Sequence, residues 1–265
     1  MKKIRWALTT FAVAGGAWAN VGSVISSFEM TAAAPAAMGI YRDANYVYAV
    51  VPSSGGDYLR VFTAAGSPVN SYALPGAADP RDADCSLLGT SYIDVLDVGT
   101  SQLLTYTKAG SWVKATPIMS GATAYAYNPG APHYYLARAG VIYRYSIAGE
   151  FLTSFNFYAG GILTGLAATA VFGGTPGDYV IIGRGGSPGL TYVYTGDGSM
   201  VANFVVPGSG TEGSVVGAGV PSSYGLTYWC NQTFGTAMWA YQVDILGVNN
   251  GLAPASWGRC KALYR

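Results

Sequence analysis

Five times along this chain a glycine in a tight-turn setting is followed by a stretch of one recurring shape: Gly22-SVISSFEM, Gly66-SPVNSYALPG, Gly110-SWVKATPIMSG, Gly149-EFLTSFNFYAG and Gly198-SMVANFVVPG. The intervals are 44, 44, 39 and 49 residues, the length of one four-stranded propeller blade. The repeat therefore constrains the architecture before any single side chain is considered.

A second column runs ahead of the glycines. Tyr46-Val-Tyr, Tyr92-Ile-Asp, Tyr134-Tyr-Leu, Tyr179-Val-Ile and Thr227-Tyr-Trp lie 20, 18, 15, 19 and 20 residues before Gly66, Gly110, Gly149, Gly198 and Gly247. Runs such as Tyr46 to Val51 are almost continuously apolar, the pattern of a strand covered on both faces. The next runs alternate, as in Leu59-Arg-Val-Phe and Ile142-Tyr-Arg-Tyr, the pattern of a strand with one less deeply buried face. From Gly22 to Gly247 there are 225 residues, five repeats averaging 45. The N-terminal stretch Ser23 to Met30 looks like an outer strand with no inner strands before it, and the last repeat has inner strands but no outer one. The expected fold is all-β, a five-bladed β-propeller of four-stranded blades over residues 20–247, with the last blade closed by the N-terminal strand against 238–246. Such a closure removes an open sheet edge. The tail, residues 248–265, contains Ser256-Trp-Gly-Arg-Cys-Lys-Ala-Leu-Tyr, itself a plausible strand that competes for the same edge.

Three fragments carry a family resemblance: Val61 to Tyr72, Tyr145 to Phe155 and Tyr194 to Phe204. Each has an aromatic or apolar strand end, a glycine turn and an apolar strand ending in an aromatic. They resemble the third and fourth strands of NHL-type repeats, as in secreted bacterial β-propellers with NHL-like repeats. The resemblance spans about residues 20–247 and implies a propeller. It implies extracellular or interaction roles only weakly, because propellers host many functions.

The chain opens with Lys2, Lys3 and Arg5, an apolar stretch from Trp6 to Gly15, and Ala17-Trp-Ala before Asn20. That sequence reads as a secretory signal over residues 1–19, with a hydrophobic region too short to span a bilayer. The expected location is secreted or in the cell envelope, periplasmic or at the surface, with no membrane span. Net charge is +1 and only 10% of residues are charged, so no basic field exists to attract nucleic acid. Cys85, Cys230 and Cys260 cannot all pair within one molecule. A Cys230–Cys260 disulfide is one pairing that would tie the tail to the last repeat, while Cys85 reads as a small buried apolar residue.

In a propeller the loop entering each blade and the loop between its second and third strands share one face. That register collects Asp79, Arg81, Asp82 and Asp84 from the loop entering the second blade, with Asp57, Arg138, Arg184 and Glu212 from others. Of these, Asp79, Arg81, Asp82, Asp84, Arg138, Arg184 and Glu212 form the candidate ligand-binding rim. The bland alternative is that these charges only solvate loops. Asp79-Pro-Arg-Asp-Ala-Asp could offer three carboxylates to calcium, but it lacks the glycine and distal glutamate of an EF-hand, and an Asx turn explains it as well. Arg42-Asp43 looks like a copy of Arg81-Asp82, yet the register puts it at a first-to-second strand turn on the opposite face.

Catalysis has little material. His133 is the only histidine, no nucleophile-elbow sequence accompanies it, and a hydrogen-bonded structural histidine is the better reading. Neither a cofactor nor a metal site is expected, and Gly183-Arg-Gly-Gly-Ser-Pro-Gly reads as a hairpin connection rather than an anion cradle. The leading expectation is a non-enzymatic binding or structural module that recognises protein or glycan at one rim. The alternative is a carbohydrate-active enzyme, a glycoside hydrolase or lyase, that pairs Asp82 or Asp84 with Glu212. Trp229, Trp239, Tyr224 and Tyr228 could stack on sugars or fill the core between blades.

Overall fold

The computed structural model describes residues 24–34, 36–43, 45–157, 163–173, 175–184, 190–205, 215–219, 227–234 and 237–245. Strand β1 (Val24–Glu29) is followed by four meanders. The first comprises β2 (Gly39–Arg42), β3 (Tyr46–Val51), β4 (Tyr58–Thr63) and β5 (Pro68–Ala73). The second comprises β6 (Pro80–Ser86), β7 (Gly89–Asp97), β8 (Gln102–Thr107) and β9 (Trp112–Pro117). The third comprises β10 (Ala124–Asn128), β11 (His133–Arg138), β12 (Val141–Ser146) and β13 (Phe151–Asn156). The fourth comprises β14 (Leu163–Phe172), β15 (Thr175–Arg184), β16 (Leu190–Thr195) and β17 (Met200–Val205). Three strands close the series: β18 (Val215–Gly219), β19 (Thr227–Phe234) and β20 (Ala237–Asp244).

Each meander is one antiparallel four-stranded sheet, and the last three strands share a sheet with β1 in the order β1-β20-β19-β18. Ser26 pairs with Gln242 and Phe28 with Ala240. The Met30 N–H donates to the Met238 carbonyl at 2.7 Å, and the Ser26 hydroxyl to the Gln242 side-chain oxygen at 2.8 Å. First strands meet in sequence, β2 with β6, β6 with β10, β10 with β14, β14 with β18 and β18 with β2. The chain is an all-β propeller, with no helix among the described residues. The predicted signal segment (1–19), the tail (248–265), Gly247 and any Cys230–Cys260 disulfide lie outside the described residues.

Burial follows the sequence pattern. Second strands such as β3 and β15 are enclosed along their apolar runs because a neighbouring sheet covers each face. Outer strands such as β5 and β13 are exposed over most of their length. Apolar clusters fill the seams between sheets: Phe28 and Met30 pack with Val47 and Phe62, and Tyr41 and Val61 pack with Ile93 and Tyr106.

The repeated glycine closes the third-to-fourth strand turn of four sheets. Gly66, Gly110, Gly149 and Gly198 have φ of 90°, 78°, 86° and 93°, the left-handed region that glycine enters without a Cβ penalty. Three residues earlier stands a hydroxyl: Thr63, Thr107, Ser146 or Thr195. Its side-chain oxygen accepts the N–H four residues on, from Ser67, Ser111, Glu150 or Ser199, at 3.0 to 3.2 Å. A β-bulge falls at one equivalent place in each of these sheets, ahead of Phe62, Tyr106, Tyr145 and Tyr194. Hydroxyl, glycine and bulge together fix the register of each outer strand.

Candidate functional site

Asp79 and Arg81 form an ion pair of 2.7 Å with both side chains well exposed. Arg138 and Arg184 end the second strands β11 and β15, and Asp57, just before β4, accepts the Ser53 N–H at 3.1 Å. Glu212 lies outside the described residues. The placement of Asp82 and Asp84 in a loop is wrong. Both belong to β6, the first strand of its sheet, and are 0% and 1% exposed. The register misled: it read this run as the loop entering the blade, and aspartate is rare in strands. The informative signal was the alternation, with Ala83 and Cys85 on one face and the two carboxylates on the other.

These carboxylates bind backbone across a seam. Asp82 accepts the Ala83 N–H at 2.9 Å and the Tyr125 N–H of β10 at 3.1 Å, with the Leu166 N–H of β14 a further donor. Asp84 accepts the Cys85 N–H at 2.7 Å and the Tyr127 N–H of β10 at 2.9 Å. First strands crowd here: a methyl on Gly39 would lie 2.6 Å from the Asp82 Cα. Asp94, directly across from Asp84, accepts the hydroxyls of Ser86, Thr105 and Tyr125 at 2.7, 2.6 and 3.2 Å and the Leu87 N–H at 3.0 Å. Burial pushes the Asp84 carboxyl up to about 8 against the pull of its two N–H donors, and Asp94 adds to the rise. Burial likewise raises Asp82 and Asp94. The Cys85 thiol, free and buried, is pushed up to about 12 mainly by burial and then by Asp84. A thiol so raised is no nucleophile at neutral pH.

A second hub joins the third and fourth sheets. Asp178 on β15 accepts from the Asn128 amide at 2.8 Å and the Tyr135 hydroxyl at 2.6 Å, and pairs with Arg144 at 2.9 Å. His133 Nδ1 lies 2.7 Å from the same guanidinium and 3.6 Å from Asp178. The sole histidine is thus part of an inter-sheet network, in keeping with a structural role. Reasoning from sequence missed Asp94 and Asp178, whose partners in the third sheet are far along the chain: 31 residues for Tyr125, and 50 and 43 for Asn128 and Tyr135.

Among the described residues no group of three His, Cys, Asp or Glu is placed to hold a metal ion, and no helix is long and apolar enough to cross a membrane. No family model matches the chain, and no curated protein matches it. Solved structures with a similar fold include one in the nidogen/laminin complex, at 12% identity and a TM-score of 0.46, covering 74% of each chain. Streptogramin B lyase is similar at 11% identity and a TM-score of 0.44, over 78% of this chain and 65% of that one. BBS1N, solved with ARL6DN, is similar at 15% and 0.42, over 77% and 63%. The chain thus spans less than two thirds of the length of the last two.

Proposed function

We propose that this protein is a five-bladed propeller, fastened by its own N-terminal strand, that acts as a binding or structural module for protein or glycan outside the cytoplasm. The pairing of β1 with β20 and the succession of first-strand contacts support the ring. The basic, apolar and A-x-A succession at the N-terminus supports export.

One observation carries the choice of binding over catalysis. Asp82, Asp84, Asp94 and Asp178 are committed to hydrogen bonds that hold strands and sheets together. A glycosidase reading that assigns Asp82 or Asp84 as acid or base requires a sugar to reach a carboxylate that is 0% or 1% exposed. The test is to incubate the full chain with envelope extracts and a polysaccharide panel, recording both retention and release of new sugar ends. Retention without product is the expected outcome; turnover abolished by Glu212→Gln would overturn it.

A further inference from the structure

The seam between the first two sheets opens, at the end carrying the first-to-second and third-to-fourth strand turns, into a groove of about 540 Å³. That volume lies within the range of small-ligand sites, about 300–1,000 Å³. One wall is Tyr46 on β3 with Asn70 and Tyr72 on β5; the other is Thr90 and Ser91 on β7 with Lys108 from the β8–β9 turn. This is the end of the molecule opposite the predicted rim.

The wall chemistry has two parts. Tyr46 is 37% exposed, with its ring edge-on to Tyr48 at 6.4 Å. Tyr72 is half-buried and receives the Asn70 amide N–H on its hydroxyl at 2.7 Å. These rings offer apolar faces with wet polar tips. Asn70, Thr90 and Ser91 are exposed and carry groups that both donate and accept.

Two cations, Lys108 and Arg42, share the one Asp43 carboxylate. Lys108 Nζ lies 2.6 Å from Asp43 Oδ2, above the rings of Tyr41 and Tyr48 at 5.7 and 6.0 Å. Asp43 is itself set by the Asn45 and Tyr46 N–H groups and the Tyr48 hydroxyl at 2.8, 2.8 and 3.1 Å. Arg42, 3.8 Å from the same carboxylate, donates to the Tyr46 carbonyl at 3.3 Å. Lys108 is therefore a donor held in place by Asp43 rather than a lone cation.

We infer that this groove is a subsite for a neutral oligosaccharide, which would lay a ring face on Tyr46 and hydrogen-bond to Asn70, Thr90 and Ser91. The inference rests on the binding-module reading and names its ligand class and place. An apolar ligand would leave the exposed Thr90 and Ser91 hydroxyls that it covers unpaired.

The test is calorimetric titration of the full chain with cello-, malto-, xylo-, manno- and chitohexaose, and with hexagalacturonate as the anionic control. Binding of at least one neutral hexasaccharide is expected, insensitive to salt and weakened about tenfold by Tyr46→Ala, the worth of one lost ring contact. Tyr46 is exposed enough to replace without unfolding, and Trp112→Ala, on the outer strand β9, should bind as the parent does. No neutral ligand bound, unchanged affinity in Tyr46→Ala, or tighter and salt-sensitive binding of hexagalacturonate would each overturn the inference. Retention of an envelope protein without saccharide binding would overturn the groove assignment and leave the binding-module reading standing; failure of both would remove both.

Discussion

Tyr72 occupies the space that a side chain on Gly110 would need: a methyl there would lie 2.3 Å from the Tyr72 Cβ and 2.9 Å from its Cγ. Phe28 stands in the same relation to Gly66 at 2.5 Å, and Phe155 to Gly198 at 2.4 Å. Each aromatic lies six residues after its own repeat's glycine and seats on the glycine of the next. The third sheet is the exception that explains the rule. Position six after Gly110 is Thr116, and a methyl on Gly149 would meet nothing nearer than 3.9 Å.

Gly110→Ala and Gly149→Ala separate conformation from close approach. Both force a left-handed residue, at a cost of about 1–2 kcal/mol. Only Gly110→Ala adds a collision with Tyr72, about 1–3 kcal/mol more. Urea midpoints at unchanged m should show the larger loss in Gly110→Ala, and Tyr72→Ala in the same chain should recover part of it. Equal losses would contradict the seating.

Stability should fall as pH rises from about 4 toward 8. Asp84 holds its proton more tightly folded than unfolded, since burial and Asp94 raise it to about 8. In that window the native state binds more protons, so deprotonation favours unfolding. Asp82 and Asp94 are raised too and act with the same sign. Each group contributes up to about 1.4 kcal/mol per pH unit while it titrates. Melting curves from pH 5 to 8 check this. Asp84→Asn should flatten the slope and cost about 1–3 kcal/mol at pH 5, because its NH2 faces one of two N–H donors.

Asp178→Ala should destabilise by about 2–4 kcal/mol, since it leaves the Arg144 guanidinium, the Tyr135 hydroxyl and the Asn128 amide without their shared acceptor. His133→Ala, which leaves Asp178 with those three partners, should cost less. Chemical denaturation of the two variants ranks them, and the reverse order would assign the hub to the histidine.

The outer half of each sheet was legible because its signals are local. A glycine, a hydroxyl three residues before it and an aromatic six after it recur within ten residues. The first strands of the first two sheets were not legible, since crowding where they meet favours short or irregular runs such as Gly39-Ile-Tyr-Arg and Pro80-Arg-Asp-Ala-Asp-Cys. Their polar groups find partners in the next sheet, as Asp82 does with Tyr125, 43 residues on. The Lys108–Asp43 pair spans 65 residues, so no local pattern exposes the groove it helps to line.

Fastening of the ring by the chain's own N-terminus is tested most directly by hydrogen exchange at the Met30 amide of the full chain. That N–H is bonded to the Met238 carbonyl at 2.7 Å, and the Met238 N–H returns to the Thr31 hydroxyl at 2.9 Å. With the N-terminal strand paired to β20, Met30 should exchange only as slowly as global unfolding permits. Exchange at the rate of an unstructured peptide, while the amides of β3 and β7 stay protected, would contradict the closure.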